Sequence, residues 1–222
     1  SAVRDGDVGR VRMVAIREHR FPFLAKVGNW NRFSVNTGGT LVEKCCHFFD
    51  LMNHLTGDTP TRVLASGAQD VNHLDEQYDG AVPDVLDNAF VIVDYAGGAR
   101  AVLDLCMFAE GSVNQEEVSV VGDLGKVEAF LPSSEFRSGR RENGPPGVTV
   151  TTVTDDRVRY EGFHHGSSYL EHLDFLAAIR NGEAPAVGLD AGLASVAMGV
   201  AAHRSIDEGR PVDLDEVLTD GR

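Results

Sequence analysis

Residues 88–108, NAFVIVDYAGGARAVLDLCMF, predict a β-hairpin. Two apolar runs at 88–95 and 99–108 flank the tripeptide AGG at 96–98. The two adjacent glycines supply the positive φ angles that a tight turn between antiparallel strands requires. This stretch therefore predicts an antiparallel sheet in the middle of the chain.

Other apolar or alternating runs extend the predicted sheet in both directions along the chain. They are typical of strands because their apolar residues follow the pattern of a pleated, half-buried surface. The predicted strands cover residues 11–17, 61–71, 117–121, 126–131 and 148–154. The polar stretches 72–87 and 132–147 are predicted as surface loops, and 21–37 as an ordered loop that crosses a site.

Three segments have the apolar spacing of helices, and a glycine follows each one closely. They cover residues 40–55, 169–180 and 191–204, with Gly57, Gly182 and Gly209 near their ends. Thr40 and Glu43 in the first segment have the spacing of a capping box. The order of strands and helices predicts one α+β domain over residues 1–222, with an open, mostly antiparallel sheet covered on one face by helices.

The composition fits a folded protein and excludes several classes of partner. Of 222 residues, 42% are hydrophobic and 24% are charged, which predicts a buried core. Lys and Arg number 20 against 34 Asp and Glu, and the net charge of −14 argues against nucleic acid and membranes as partners. The sequence has no apolar run of about 20 residues and no apolar signal segment at its start, so a cytoplasmic location is expected. The odd count of three cysteines favours a reducing compartment.

Four ionisable residues line one face of the first predicted helix. Glu43, His47, Asp50 and His54 follow each other at i, i+4, i+7 and i+11. A histidine there can exchange a proton with a substrate hydroxyl, and the acid one turn earlier can orient its ring. Structural alternatives stay open: Glu43 as a helix cap only, His47 as a core histidine bonded to a carbonyl, and the other two as a solvated or paired face.

The loop before this helix carries two cations and an amphipathic ring, namely Lys26, Arg32 and Trp30. Close to a helix N-terminus, such groups favour an anion or a polyhydroxy ligand. The alternative is a loop that is simply pinned by Trp30 packing. His164 and His165 precede the helix at 169–180, where they are either ordinary residues at a helix start or further members of the site.

Two kinds of binding motif are absent from the sequence. It contains neither a strand-Gly-x-Gly-x-x-Gly-helix unit nor a Gly-x-x-x-x-Gly-Lys-Ser/Thr run, and so has no evident nucleotide cradle. Cys45 and Cys46 point to different sides of the predicted helix and cannot chelate one ion together. No metal site is therefore predicted, although His-x-x-Asp-x-x-x-His can present ligands to one ion.

Several motifs along the chain resemble those of one oxidoreductase family. In chain order they are GDVGRVRMV, WNRF, GGTLVEKCCHFFDLM, YAGGARAVLDL, VSVVGDLGKVEA and YLEHLDFLAAIRNGEAPAV. Over residues 5–218 the chain resembles the second domain of the glucose-fructose oxidoreductase, inositol dehydrogenase and MocA (Gfo/Idh/MocA) family. The resemblance implies an NAD(P)-dependent dehydrogenase whose N-terminal Rossmann domain, expected upstream of this chain, binds most of the NAD or NADP. It also implies a homodimer or homotetramer that forms through the sheet.

The resemblance implies roles for individual residues as well. In the family, a Gly-Gly-x-x-x-Asp-x-x-x-His pattern places an acid and a histidine beside the hydroxyl that is oxidised. The histidine position falls on His47 and the acid position on Glu43, which is one methylene longer than the usual Asp. These two residues are the catalytic candidates. The substrate-binding candidates are Lys26, Trp30, Arg32, Lys44 and Asp50, of which Lys44 has no counterpart in the family pattern.

Three functional hypotheses follow from these observations. The first is the substrate-binding and oligomerisation half of an NAD(P)-dependent oxidoreductase that acts on a sugar, inositol or related polyol, with His47 as acid and base. The second is a stand-alone, non-catalytic homo-oligomeric module that binds a small polar ligand. The third is a metal-dependent hydrolase or isomerase that uses His47, Asp50 and His54.

Overall fold

In residues 2–220, which the computed structural model describes, nine strands form one sheet. Their order across the sheet is β8-β7-β6-β5-β1-β4-β3-β2-β9. The strands are Val11–His19 (β1), Pro60–Ala68 (β2), Asn88–Tyr95 (β3), Arg100–Cys106 (β4), Glu116–Gly122 (β5), Gly125–Leu131 (β6), Glu135–Arg140 (β7), Thr149–Thr152 (β8) and Val212–Asp213 (β9).

The predicted hairpins are present and the sheet is mostly antiparallel, as predicted. β3 and β4 pair from Asn88 opposite Cys106 to Asp94 opposite Arg100, and β5 pairs with β6 in the same way. β1 lies at the centre, antiparallel to β5 and parallel to β4. The β1–β4 contact is the one parallel pairing in the described part of the chain.

Helices cover one face of the sheet. The α-helices of the described residues are Ser34–Thr37 (α1), Thr40–Glu43 (α2), Cys46–Thr56 (α3), Ser167–Asn181 (α4), Leu189–Glu208 (α5) and Leu214–Asp220 (α6). Of these, α3, α5 and α6 pack on the sheet. α3 lies against β1, and α5 lies against β2 and α3. Their fully buried side chains, among them Phe49, Met52 and Met198, meet alternate strand residues such as Ile16 and Leu103 in the core. The α+β architecture is therefore confirmed.

The structure corrects the prediction of one continuous helix over residues 40–55. Lys44 and Cys45 separate α2 from α3, and Gly39 rather than Thr40 precedes the first helical residue. The capping box is wrong, because the Thr40 hydroxyl donates to the Leu86 carbonyl at 2.6 Å. Thr40 is buried, and a carbonyl brought in by the fold replaces the local partner of the motif.

Other predictions change in detail. The loop at 132–147 contains β7, whose polar side chains hide the alternation of an exposed strand. The strand at 148–154 is shorter, and β9 and α6 follow the last predicted helix. The predicted loop at 21–37 includes a 3₁₀ segment, Val27–Arg32, and α1. In the described part of the chain, no helix is long and apolar enough to cross a bilayer.

Candidate active site

A cleft of about 580 Å³ opens where the loop after β1 meets α3, the start of β5 and the start of α4. Phe21, Phe23 and Phe48 form apolar parts of its wall. Its ionisable lining residues come from these elements, from α2 and from the segment before α4, and are Arg20, Lys26, Glu43, Lys44, His47, Glu116, His164 and Glu171. Such a mixture of donors, acceptors and apolar surface suits a small ligand with several hydroxyl groups.

A histidine of α5 holds the start of α2 in place. The Leu41 backbone N–H donates to His203 Nε2 at 3.1 Å. Gly39, at φ 88°, lies so close to this ring that an added Cβ atom would be 2.5 Å from Nε2. Because Nε2 accepts a hydrogen bond the imidazole is neutral, and burial lowers the pKa of His203 in the same sense. His203 thus positions the helices that carry Glu43 and His47.

Glu43 forms the rim of the cleft together with Lys26. The Lys26 ammonium lies 2.9 Å from Glu43 Oε1 and 4.9 Å from the centre of the Trp30 ring. The Lys26 side chain is 44% exposed and that of Glu43 is 21% exposed. Both groups can therefore reach a ligand. Trp30 supports the lysine from outside and does not itself line the cleft.

Lys44, the next residue after Glu43, pairs with an acid in the interior. Its ammonium lies 3.0 Å from Glu18 Oε1 on β1 and 5.3 Å from the centre of the Phe48 ring. Arg20 Nη1 approaches the same oxygen at 3.4 Å. The Glu18 side chain is fully buried, whereas Lys44 keeps 13% of its side chain exposed and lines the cleft.

His47 projects from the first turn of α3 into this cleft and is exposed. Its imidazole makes no hydrogen bond to another residue in the described part of the chain. The alternative of a core histidine bonded to a carbonyl is therefore wrong. The ring is therefore free to contact a bound ligand, and His164, which precedes α4, lines the same cleft.

Arg32 lies outside the cleft in a polar cluster of its own. It is 4% exposed, and its Nε donates to Glu76 Oε2 at 2.9 Å. His73 and Tyr78 also bond to Glu76. Burial opposes ionisation of Glu76, but these three hydrogen bonds outweigh it and lower its pKa to about 2. This cluster fixes the loop that leads into α1 rather than contacting the cleft.

The four ionisable residues on one face of the predicted helix do not share one site in the structure. Glu43 and His47 line the cleft described above, Asp50 is half-buried outside it, and His54 lines a different cleft of about 630 Å³. Burial raises the pKa of the Cys45 thiol far above its usual range, which makes it unreactive. Among residues 2–220, no three His, Cys, Asp or Glu side chains are grouped to hold a metal ion. The geometry thus gives no support to the metal-dependent hypothesis.

Sequence reasoning missed Glu18, Arg20 and His203. Glu18 is one residue beyond the predicted strand at 11–17, and its alternation with buried Ile16 is the signal that it faces inward. His203 belongs to a predicted helix at 191–204 that is otherwise rich in small apolar residues. Neither signal identifies the partner, because the contacts join segments that are distant along the chain.

Comparison with known proteins shows which family the chain belongs to. A sequence model described as the C-terminal alpha/beta domain of the oxidoreductase family matches residues 1–214. The chain belongs to the Gfo/Idh/MocA oxidoreductase family. Myo-inositol 2-dehydrogenase of Thermotoga maritima is 31% identical over 224 residues, covering 98% of this chain and 60% of the relative.

Two further proteins are similar at lower identity. Inositol 2-dehydrogenase of Rhizobium meliloti is 28% identical over 222 residues, covering 96% of this chain and 59% of the relative. The solved structure of aldose-aldose oxidoreductase from Caulobacter crescentus, complexed with glycerol, has a TM-score of 0.70 at 24% identity and shares the fold. The match covers 96% of this chain and 58% of that structure. The chain thus spans about three fifths of the length of the curated relatives it matches.

The described residues show no dedicated site for the pyrophosphate of a dinucleotide. The sequence has no glycine-rich phosphate loop, and the cleft combines basic groups such as Lys26 and Lys44 with acidic groups such as Glu43 and Glu171. This mixture of charges does not form the uniformly positive surface that favours phosphate groups.

Proposed function

We propose that this chain is the substrate-binding and assembly part of an NAD(P)-dependent dehydrogenase that oxidises a hydroxyl of an inositol, sugar or related polyol. The observation that carries the proposal is the shared cleft of His47, Glu43, Lys26 and Lys44. The names of the inositol dehydrogenases to which the chain is similar support this class of substrate.

In this proposal His47 removes the proton of the reacting hydroxyl. An imidazole nitrogen can take up this proton and return it in the reverse direction. Lys26 and Lys44 donate hydrogen bonds to neighbouring hydroxyl oxygens, and Glu43 accepts one from a hydroxyl. A bound NAD or NADP, held mainly outside this chain, would supply the hydride acceptor.

The test compares two histidines of the same helix in the full-length protein. His47→Asn removes the proton acceptor, and His54→Asn is the matched control because His54 lines the other cleft. Turnover of myo-inositol, scyllo-inositol and glucose with NAD and NADP is measured by the absorbance of the reduced cofactor. We expect His47→Asn to lower kcat by about 10²–10⁴-fold and His54→Asn to leave it within about twofold.

Full activity of His47→Asn would exclude the proposed role of His47. Binding of one of these polyols without any turnover, unaffected by His47→Asn, would instead favour a non-catalytic binding module. Binding is measured by calorimetry on the same two variants.

The helix-free face of the sheet supports assembly with a second copy. Ala15, Val102, Ile92 and Leu64 form one row across β1, β4, β3 and β2. Phe90 lies next to this row and is 64% exposed. An apolar surface with charged borders is typical of a protein interface. Here the borders are Arg62 with Asp94 and Arg17 with Asp104, so each border offers both signs of charge to an identical copy.

A cytoplasmic location is part of the same proposal. Cys45, Cys46 and Cys106 are all free thiols, as expected in a reducing compartment. Labelling of these thiols in lysates prepared under non-reducing conditions checks this point, and disulfide formation would argue against it.

A further inference from the structure

A fully buried carboxylate lies beneath the candidate active site. Glu18 is on the face of β1 that packs against the helices, where its neighbours on alternate positions are Val14 and Ile16. Its Oε1 faces Lys44 and Arg20, and its Oε2 has no hydrogen-bond partner in the described part of the chain. An acid in this position is costly, because burial removes the water that stabilises its charge.

The break between α2 and α3 brings Lys44 over this acid. Lys44 and Cys45 lie outside both helices, Cys45 is buried in the core, and Lys44 extends along the ring of Phe48. The ammonium therefore contacts Glu18 on its inner side while the side chain also lines the cleft. An ammonium group has three donors, and the contact with Glu18 uses one of them.

Lysine is rare in this chain, which makes its placement informative. Lys26, Lys44 and Lys126 are the three lysines of the sequence, and arginine provides the other positive side chains. Two of the three line the cleft. A lysine presents a compact charge with rotatable donors, whereas arginine presents a broad planar fork. A compact donor suits a single hydroxyl oxygen.

A contribution to folding stability does not account well for the ion pair between Glu18 and Lys44. Replacing a buried pair by apolar residues of similar size is often neutral or stabilising, because both charges lose their hydration. Burial raises the pKa of Glu18, Lys44 opposes that shift, and Glu116 on β5 adds to it. What the pair does provide is a fixed position for the Lys44 ammonium on the floor of the cleft.

We propose that Glu18 is a positioning residue that holds Lys44 as a hydrogen-bond donor to a substrate hydroxyl. The inference rests on the proposed function, since it assigns a role within the same cleft. Glu18 has no access to the ligand and acts only through Lys44 and, at a longer distance, Arg20.

A double-mutant cycle in the full-length protein tests this role. The variants are Glu18→Gln, Lys44→Met and the two combined, and the last removes both buried charges at once. Glu135→Gln is the control, because it breaks the ion pair with Arg137 on β7, away from the cleft. Turnover of myo-inositol, scyllo-inositol and glucose with NAD and NADP gives kcat and KM, and thermal unfolding monitors folding.

We expect Glu18→Gln to lower kcat by about tenfold through loss of orientation, with a smaller change in KM. In the Lys44→Met background the same substitution should change kcat by less than about twofold, because non-additivity is the mark of residues that act as a unit. An equal loss of kcat in both backgrounds would overturn the proposal. So would a loss of thermal stability in Glu18→Gln while kcat of the folded protein stays within about twofold of wild type, because that result is expected of a purely structural role.

A second measurement needs no turnover. Reductive methylation followed by mass spectrometry gives the relative reactivity of each lysine. Loss of the Glu18 carboxylate should make Lys44 react several-fold faster because its nitrogen is no longer held against that oxygen, while Lys126 on β6 serves as the internal reference. Unchanged reactivity of Lys44 would mean that Glu18 does not hold it.

The outcomes also separate this inference from the proposed function. If His47→Asn abolishes turnover but neither Glu18→Gln nor Lys44→Met affects kcat, the inference alone fails. If His47→Asn is fully active, or if no polyol of the panel is turned over, the proposed function fails and the inference fails with it.

Discussion

The two faces of the sheet differ in what covers them, although the same strands build both. On the helix-covered face, Val91 and Val93 of β3 are fully buried beneath the helices. On the other face, Phe90 and Ile92 of the same strand are 64% and 45% exposed. β3 is therefore apolar on both of its faces, but only its residues on the helix-covered face are buried when the chain folds.

The exposed large apolar side chains on one face of the sheet need not lower the stability of this domain. A strand with apolar residues on both faces is typical of a sheet that is buried on both sides. One side is filled by α3 and α5. The other is available for a second copy of the chain, which is the assembly that we propose.

The largest expected effect is the loss of a phenylalanine from the covered face. Phe49 on α3 is fully buried. Phe49→Ala should lower the free energy of unfolding by about 3–5 kcal/mol, because it removes apolar contacts and leaves a cavity. Urea unfolding of the chain measures this change. A loss below about 1 kcal/mol would contradict the central place of Phe49 in the core.

A smaller effect is expected at the polar contact between α5 and α2. His203→Ala leaves the buried Leu41 N–H without an acceptor, which costs about 1–3 kcal/mol. The exposed His172 on α4 is the matched control, and its replacement by Ala should change stability by less than about 0.5 kcal/mol. Equal effects of the two substitutions would mean that the His203 hydrogen bond contributes nothing.

The same contact has a pH dependence with a defined sign. Burial makes the pKa of His203 lower in the folded chain than its ordinary value of 6.5, so the unfolded chain takes up a proton first as the pH falls. The contribution of His203 is complete above pH 6.5 and is lost as the pH falls through its folded pKa. Wild type should therefore lose more stability than His203→Ala between neutral and mildly acidic pH, as measured by urea unfolding at each pH.

The smallest effect on stability is expected on the uncovered face. Phe90→Ala removes the same atoms as Phe49→Ala but should change the unfolding free energy of the monomer by less than about 0.5 kcal/mol. Its effect should appear in self-association, which sedimentation measures as a higher dissociation constant. Undiminished association would exclude this face as the interface between copies, and a large loss of monomer stability would remove the contrast between the two faces.

The sequence by itself determined the elements whose signals are local. The hairpin of β3 and β4 was predictable because its turn glycines and apolar runs are adjacent. The ends of α3, α4 and α5 were predictable because a glycine follows each of them at positive φ. The helical segment with Glu43 and His47 was found by its periodicity, although the structure divides it into α2 and α3. The family resemblance is confirmed by the match over residues 1–214.

The tertiary structure decided which residues meet. The parallel pairing of β1 with β4, the contact of Lys44 with Glu18 and that of Leu41 with His203 each join distant parts of the chain. Arg32 and Lys26 are both cations of the same predicted loop, and the sequence made both of them substrate-binding candidates. In the structure Arg32 pairs with Glu76, whereas Lys26 lines the cleft. Turn and periodicity signals depend on neighbouring residues, whereas the partner of a buried charge depends on how the whole sheet and its helices pack.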